Sequence, residues 1–475
     1  MERKNAWKTY SPEQLEELNQ LAAGYIDFIS QNKTERECTD AAIAQAKAAG
    51  YVDLSELVAA GTPVKPGDKI FAHTHGKALV MVHVGSEPME AGMNILGAHI
   101  DSPRLDLKQN PLYESNGLAL LDTHYYGGIK KYQWVTLPLA LHGVVAKTDG
   151  TVVNVVVGED PADPVFCITD ILPHLGADQM KRDAAKIVEG EALDVLVGSQ
   201  PLVVDEDEAK DAPEGSVLAA AKKDPVRAMV MQLLEQKYGI AEEDFLSAEI
   251  EVVPAGPARE LGFDRSMILG YGHDDRVCAY PSLLAQLALD APARTAVCVL
   301  VDKEEIGSVG ASGMESLFFE NVIAEVMELA GEGGLLKLRR ALAASRMLSS
   351  DVSAGLDPNY AGVFESKNAA FLGRGLVFNK YTGARGKSGS NDASAEYMAL
   401  VRRVMDDAGV NFQTAELGKV DAGGGGTIAF IPARYDMDVI DSGVAVLSMH
   451  APWEVISKAD LYEARKGYEA FLRNA

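Results

Sequence analysis

The segment Thr295–Val301 (TAVCVLV) is almost wholly apolar and rich in β-branched residues. Such a run reads as a strand buried on both faces. It ends in Asp302-Lys303-Glu304-Glu305-Ile306-Gly307-Ser308, two adjacent carboxylates before a Gly-Ser turn. Two carboxylates at a strand's exit are costly to desolvate unless something pairs with them, and a metal ion is one such partner. Side chains alternate along extended backbone, so the two glutamates can face different ways. One can ligate a metal while the other faces the attacking water. The competing reading is a solvated acidic loop, and the rest of the chain decides between them.

Four more strand-like runs end in ligand-type residues. His99-Ile100-Asp101 follows 94–98, and Gly272-His273-Asp274-Asp275-Arg276 follows 267–269. Ser349-Ser350-Asp351 follows 346–348, and Ser448-Met449-His450 follows 444–447. In open α/β sheets, ligands bind where strands end. A His two residues before an Asp can ligate with one ring nitrogen and donate the other N–H to the carboxylate, which fixes the tautomer. The five segments offer at least two imidazoles and three carboxylates, a mixed nitrogen and oxygen set that suits zinc, cobalt or manganese. Two ions about 3.5–4 Å apart need a bridging carboxylate and a few terminal ligands. The inventory meets that need. Each segment alone is common in unrelated proteins.

The surrounding pattern is α/β. Ser11-Pro12-Glu13-Gln14 carries the signature of a helix start with a capping box. A second helix is expected over 39–49 and strands over 69–84 and 94–100. From about 107 the texture becomes strand-rich, with strands expected over 134–139, 143–147 and 151–157. The acidic stretch 204–215 is expected as an exposed loop or lid. Helical spacing returns at 225–238. After Arg265 strands and helices alternate, and the last helix is capped by Ser457. The reading is a discontinuous α/β catalytic domain, 1–106 plus 263–475. An inserted strand-rich domain occupies 107–262.

The chain has 475 residues and a formal net charge of -25, with 47% hydrophobic and 24% charged residues. That size supports a large core. The charge disfavours nucleic acid and anionic membranes, which need a basic face. No signal-type core opens the chain and no stretch has the length of a membrane span. The four cysteines, Cys38, Cys167, Cys278 and Cys298, are scattered without a CxxC pair. They read as reduced thiols of a cytoplasmic protein.

The segments GAHIDSPRLDLK (97–108), GHDDR (272–276), DKEEIGS (302–308), SSDVSAGLDPNY (349–360), GSNDAS (389–394), DAGGGGTIA (421–429) and SMHAPWE (448–454) occur in that order. Together they resemble the aspartyl aminopeptidase / vacuolar aminopeptidase I family of dinuclear zinc exopeptidases, across most of the chain. The resemblance implies a zinc-exopeptidase-like mixed sheet flanked by helices. It implies a metal-dependent aminopeptidase that removes N-terminal residues from peptides with a free N-terminus. His99, Asp274 and Glu305 would hold one ion, and Asp274, Asp351 and His450 the other. Glu304 would be the general base and Asp101 the partner of His99. The insert would serve dimerisation, with dimers building a homododecamer. Many relatives carry Leu-Asp-Asn where this chain has His273-Asp274-Asp275, so Asp275 competes with Asp274 for the bridging place; alignment on Arg276 favours Asp274. Ala354 and Asp357 stand where many relatives have His, and Tyr381-Thr382-Gly383-Ala384-Arg385 replaces their Asn-Gln-Arg-Tyr run. The resemblance therefore carries no preference for acidic substrates.

Other residues keep two readings. The glycines of 423–426, Gly424 and Gly425 among them, can bring backbone N–H groups to a substrate or simply form a tight turn. Lys380 can read a substrate or lie on the surface. His124 in the insert can reach a neighbouring subunit's site within an assembly or remain structural. His73, His75, His83, His142, His174 and His273 read as structural. A carboxypeptidase, dipeptidase or amide deacylase with the same metal chemistry is the alternative activity, and a non-catalytic scaffold the alternative of another class.

Overall fold

The computed structural model describes residues 4–204, 213, 216–383 and 386–475. Apart from 204 and 213, the acidic stretch 204–215 lies outside the described residues. Contacts divide the chain into two compact units: Met1–Ser102, Ala258–Met449 and Trp453–Ala475; and Pro103–Pro257 with His450–Pro452.

The first unit opens with the helix Pro12–Gln31. Ser11 Oγ accepts the Gln14 N–H and Gln14 Oε1 accepts the Ser11 N–H, closing the expected capping box. Leu18, Ala22, Tyr25, Phe28 and Ile29 form its buried stripe. The second helix spans Glu35–Ala48 and so starts earlier than 39. A second capping box, Thr34 with Glu37, sets that start.

A nine-stranded sheet follows. In spatial order its strands are Val52–Asp53, Lys69–Thr74, Ala78–His83, Thr295–Val301, Met93–His99, Arg346–Ser349, Asp438–Gly443, Leu376–Asn379 and Phe412–Thr414. The expected single strand 69–84 is a hairpin. His75 and Gly76 turn it with φ of 52° and 66°, paired positive φ values within the three-residue connection 75–77. The four strands from Thr295–Val301 to Asp438–Gly443 run parallel. The two at the centre, Met93–His99 and Thr295–Val301, are buried at every residue. Each Val or Leu fully buried there contributes about 1.5–3 kcal/mol, offset by about 1–2 kcal/mol per residue of ordered backbone. Parallel pairing brings His99, Asp302 and Ser349 to one edge.

A second sheet in this unit orders Arg259–Leu261, Met267–Gly270, Glu454–Ser457, Ala445–Leu447 and Ser353–Ala354. The five ligand-bearing segments therefore do not leave one sheet. Three leave the large parallel sheet; 272–276 and 448–450 follow strands of the smaller one. Both strands run antiparallel to Glu454–Ser457, and hence parallel to each other. The helix His273–Leu287 follows the first of them, and the closing helix Lys458–Asn474 packs nearly all of its length into the core.

The second unit is built on a six-stranded antiparallel sheet, in the order Val152–Val157, Leu139–Ala146, Ala248–Pro254, Arg104–Ser115, Leu118–Tyr126 and Val195–Gly198. The strand expected over 134–139 begins only at Leu139. Thr136 sits at φ 61° and Pro138 has no N–H to give a ladder, so 134–138 cannot pair regularly. The hairpin Arg104–Ser115 / Leu118–Tyr126 turns at Asn116-Gly117, with φ of 51° and 73°. That Asn-Gly pair is the signal sequence reading passed over. The helix Pro225–Tyr238 lies over a largely apolar cavity of about 440 Å³ lined by Leu121, Leu141, Val155, Leu233 and Leu234.

Candidate metal centre

His99 is the last residue of its strand and is 1% exposed. Its Nε2 lies 3.2 Å from Asp274 Oδ1, 3.9 Å from Asp351 Oδ1 and 4.0 Å from Glu304 Oε2. Its Nδ1 lies 3.1 Å from the Asp101 carbonyl oxygen and 3.3 Å from Asp101 Oδ1. A proton on Nδ1 satisfies both Asp101 oxygens and leaves the Nε2 lone pair aimed at the carboxylates.

Asp101 does a second job. Its Oδ1 accepts the Glu304 N–H and its Oδ2 the Glu305 N–H, each at 3.2 Å. The glutamates sit in a turn whose backbone is left-handed at Lys303 (φ 69°), Gly307 (φ 96°) and Ser308 (φ 63°). Asp302 secures it, accepting the Lys303 N–H at 2.8 Å and the Ser312 hydroxyl at 2.6 Å. Burial, with the charges of Glu35 and Asp101, raises the Asp302 carboxyl to about 6.

Asp274 and Asp275 precede the regular part of their helix, with ψ of 106° and 23°. The Asp274 N–H donates to Glu454 Oε2 at 3.0 Å, and its carbonyl accepts the Ser102 hydroxyl at 2.7 Å. This turns the Asp274 carboxylate to His99 Nε2. Asp275 points elsewhere: its Oδ2 accepts the His99 backbone N–H at 3.3 Å. Asp351 follows the strand Arg346–Ser349 and is seated by Gly443, where a Cβ would fall 1.8 Å from the Asp351 carbonyl oxygen.

One ligand atom from each of His99, Asp274 and Asp351 can be chosen so that all lie within 4.8 Å of one another, and the same holds for His99, Glu304 and Glu305. Ligand atoms bound about 2.0–2.2 Å from a zinc ion need only modest contraction from such spacings. The electrostatics agree. Burial pushes the Asp351 carboxyl well up, and the charges of Glu304 and Asp275 add to the shift. Burial likewise raises Asp275, with Asp274 adding to it. Burial opposes a charge on His99, yet hydrogen bonds to Asp101 and Asp274 carry its pKa well up. A crowd of desolvated carboxylates holds protons unless a cation replaces them, so the donor set fits a divalent ion.

The remaining candidates fall as follows. His450 is grouped with the second unit, where its Nδ1 lies 2.9 Å from the Gly128 carbonyl oxygen. His124 is exposed on the strand Leu118–Tyr126, with Nδ1 2.8 Å from the Tyr125 carbonyl oxygen. Lys380 is exposed and its Nζ meets Asp392 Oδ1 at 2.7 Å. Its strand Leu376–Asn379 runs antiparallel to Asp438–Gly443, so Lys380 leaves away from the edge reached by the parallel strands. The Gly425 N–H is engaged by the Thr382 carbonyl at 3.0 Å, and Gly424 adopts φ 116° beside it. His273 has a structural seat, with Nδ1 2.7 Å from the Tyr25 hydroxyl and Nε2 3.3 Å from the Ile268 carbonyl oxygen; burial lowers its pKa to about 3. Asp302 and Glu454 were missed as supports. Both lie inside recognised segments, and only the folded contacts show what they hold.

The chain matches the Aminopeptidase I zinc metalloprotease (M18) family over residues 28–472. It is 57% identical over 473 residues to a probable M18 family aminopeptidase 1 of Clostridium acetobutylicum, covering 100% of this chain and 98% of that one. The crystal structure of aminopeptidase I from Clostridium acetobutylicum superposes with a TM-score of 0.90 at 55% identity and full coverage of both chains. The S. cerevisiae mApe1 dodecamer structure shares the fold at 19% identity, with a TM-score of 0.74 and 95% coverage of each chain. The chain belongs to the M18 family of zinc metallo-aminopeptidases, hydrolases that act on peptides. Among the described residues no helix is long and apolar enough to cross a membrane.

Proposed function

We propose that this chain removes N-terminal residues from peptides at a dinuclear centre. His99, Asp274 and Glu305 would hold one ion, and Asp274, Asp351 and His450 the other, with Asp274 bridging. Zinc is the ion the family indicates, and the nitrogen and oxygen donors also suit cobalt or manganese. The observation that carries the reading is the aim of His99 Nε2 at Asp274 Oδ1, 3.2 Å away, with Asp101 behind the ring. His450 is assigned from its place in the SMHAPWE segment.

When bound, zinc would supply Lewis-acid chemistry there, lowering the pKa of water and polarising a carbonyl. Glu304 takes the proton from the attacking water and returns it to the leaving amine. It is suited to this by being half-buried at the edge, with its backbone N–H held by Asp101 Oδ1 at 3.2 Å. Asp101 keeps His99 oriented and the Glu304-Glu305 turn in register with it. The substrate's free α-ammonium is drawn to the surrounding carboxylates, which sets the register of a single-residue cut. His124, Lys380, Gly424 and Gly425 stay as substrate-side candidates of lower rank, since partners within the chain already engage His124, Lys380 and Gly425.

Assembly into a homo-oligomer built from dimers, up to a dodecamer, belongs to the same proposal. The second unit exposes Val165, Ile171, Leu172, Leu175 and Met180, each at least 47% accessible, an apolar surface that a further copy would cover. Cytoplasmic residence is supported by four free cysteines, three of them buried. The test of the activity is hydrolysis of a peptide with a free N-terminus against its N-acetylated form. Release of the first residue only from the free form supports the proposal; cleavage from the C-terminus overturns it.

A further inference from the structure

Arg276 has no role above, yet it is a 1% exposed side chain in the helix His273–Leu287, two residues after Asp274. Burying a guanidinium is costly unless its donors are matched. Two of its donors go to backbone carbonyls of different segments. Nε donates to the Ile100 carbonyl oxygen at 3.2 Å, and Nη2 to the Lys33 carbonyl oxygen at 2.8 Å. Both carbonyls belong to residues that are themselves held. The Ile100 N–H donates to the Val301 carbonyl oxygen at 2.9 Å, at the end of the strand that leads to Glu304 and Glu305. Lys33 lies between the helices Pro12–Gln31 and Glu35–Ala48, and Glu37 Oε2 accepts its N–H at 2.7 Å. Gly272 makes room for this arrangement. At φ 74°, a Cβ there would fall 2.4 Å from Arg276 Nη1 and 2.9 Å from Ser102 Oγ.

Consecutive side chains of one segment thus grip consecutive residues of another. Asp275 Oδ2 accepts the His99 N–H at 3.3 Å, and Arg276 Nε donates to the Ile100 carbonyl oxygen. Ser102 Oγ closes the loop in the other direction, onto the Asp274 carbonyl oxygen at 2.7 Å. Three bonds spread along both backbones leave 99–102 and 274–276 little room to slide. The side chains these two segments present to each other are His99 and Asp274, with Nε2 and Oδ1 3.2 Å apart. An arginine suits the task because its planar fork sends Nε and Nη2 to two acceptors at once, whereas a lysine carries one terminal nitrogen. We propose that Arg276 is a positioning residue of the metal centre: by tying Ile100 to Lys33 it holds the His99 segment at a fixed distance from Asp274, and so sets how tightly the ion is held. This rests on the proposed site.

The experiment measures the loss of zinc from the loaded, full-length protein to a chelating indicator, for the unaltered chain, Arg276→Ala and Arg276→Lys. Removing a group that orients metal ligands typically costs 10–100-fold in affinity. Arg276→Ala is expected to hold zinc about 10–100-fold more weakly, and Arg276→Lys to fall between it and the unaltered chain. Guanidinium chloride at a low, non-denaturing concentration is expected to restore the affinity of Arg276→Ala, and sodium chloride at the same ionic strength to leave it weak. A merely structural arginine would lower Tm without moving the zinc affinity. A folded Arg276→Ala protein with unaltered zinc affinity would overturn the proposal, and so would a weakened one that guanidinium leaves unrestored. If Arg276→Ala fails to fold, Arg276→Lys decides: weaker zinc binding supports the proposal, and unaltered binding overturns it. An unaltered chain that takes up no zinc would instead overturn the site reading, so the two failures are distinguishable.

Discussion

Asp101 accepts the backbone N–H of Glu304 through the carboxylate that also faces His99 Nδ1. One buried side chain thus sets two distances at once: that of the metal-facing imidazole and that of the strained turn bearing both glutamates. Removing such a partner typically costs 10–100-fold in metal affinity or activity. Asp101→Asn is expected to weaken zinc binding and to lower kcat/KM by about that factor. Competition with a metal indicator dye, alongside kinetics, checks both. Full activity and unchanged affinity would show that Asp101 only fills space.

Asp274 and Asp275 are neighbours with opposite assignments. Asp274 faces His99 Nε2, whereas Asp275 turns to the His99 backbone N–H. Asp274→Asn is expected to purify without its full zinc complement; Asp275→Asn, which copies the Leu-Asp-Asn pattern of many relatives, is expected to keep it. Elemental analysis of the two proteins decides. Metal loss in Asp275→Asn alone would exchange the roles.

How much of this was legible beforehand depended on what kind of information each residue carries. The apolar runs and their terminal motifs are local, so the strands bearing His99, Glu304-Glu305 and Asp351 could be read directly. Which sheet a strand joins is not local. Met267–Gly270 and Ala445–Leu447 look like the others yet form a separate sheet. Direction is hidden too: Leu376–Asn379 reads as one more strand, and only its antiparallel pairing sends Lys380 away from the shared edge. Within 69–84 the polar interruption 73–77, with Gly76 in it, is where the chain turns, and reading the whole run as one strand passed over it. Buried supports such as Asp302 and Glu454 look in sequence like ordinary surface acids.

Gly443 offers a test of packing as a determinant of the site. A Cβ there would clash with the carbonyl oxygen of Asp351. Overpacking costs about 1–3 kcal/mol. Gly443→Ala is expected to lose that much stability in denaturant unfolding and to bind zinc more weakly, although no ligand is changed. Wild-type zinc affinity would show that the strand shifts without disturbing Asp351.

His83 gives the pH dependence of stability a distinct contribution. Burial, with Lys69 adding to it, lowers its pKa from 6.5 to about 4. In the folded chain the imidazole stays neutral down to about pH 4, while the unfolded chain takes up a proton near 6.5. The unfolded state therefore binds more protons in that window, and stability falls as pH drops from about 6.5 to 4. His83→Gln is expected to flatten this part of the Tm–pH curve relative to the unaltered protein. Parallel curves would remove His83 from the account.

Glu304→Gln is the most direct test of the division of labour between the adjacent glutamates. The substitution keeps size and backbone contacts and removes only the group that takes up the proton. General-base loss is expected to lower kcat by about 10²–10⁴-fold on an unblocked aminoacyl substrate. Elemental analysis of the same preparation should still find the full zinc complement, because Glu305 is the ligand. A Glu304→Gln protein that turns over normally, or one that is inactive because it has lost its zinc, would contradict the account.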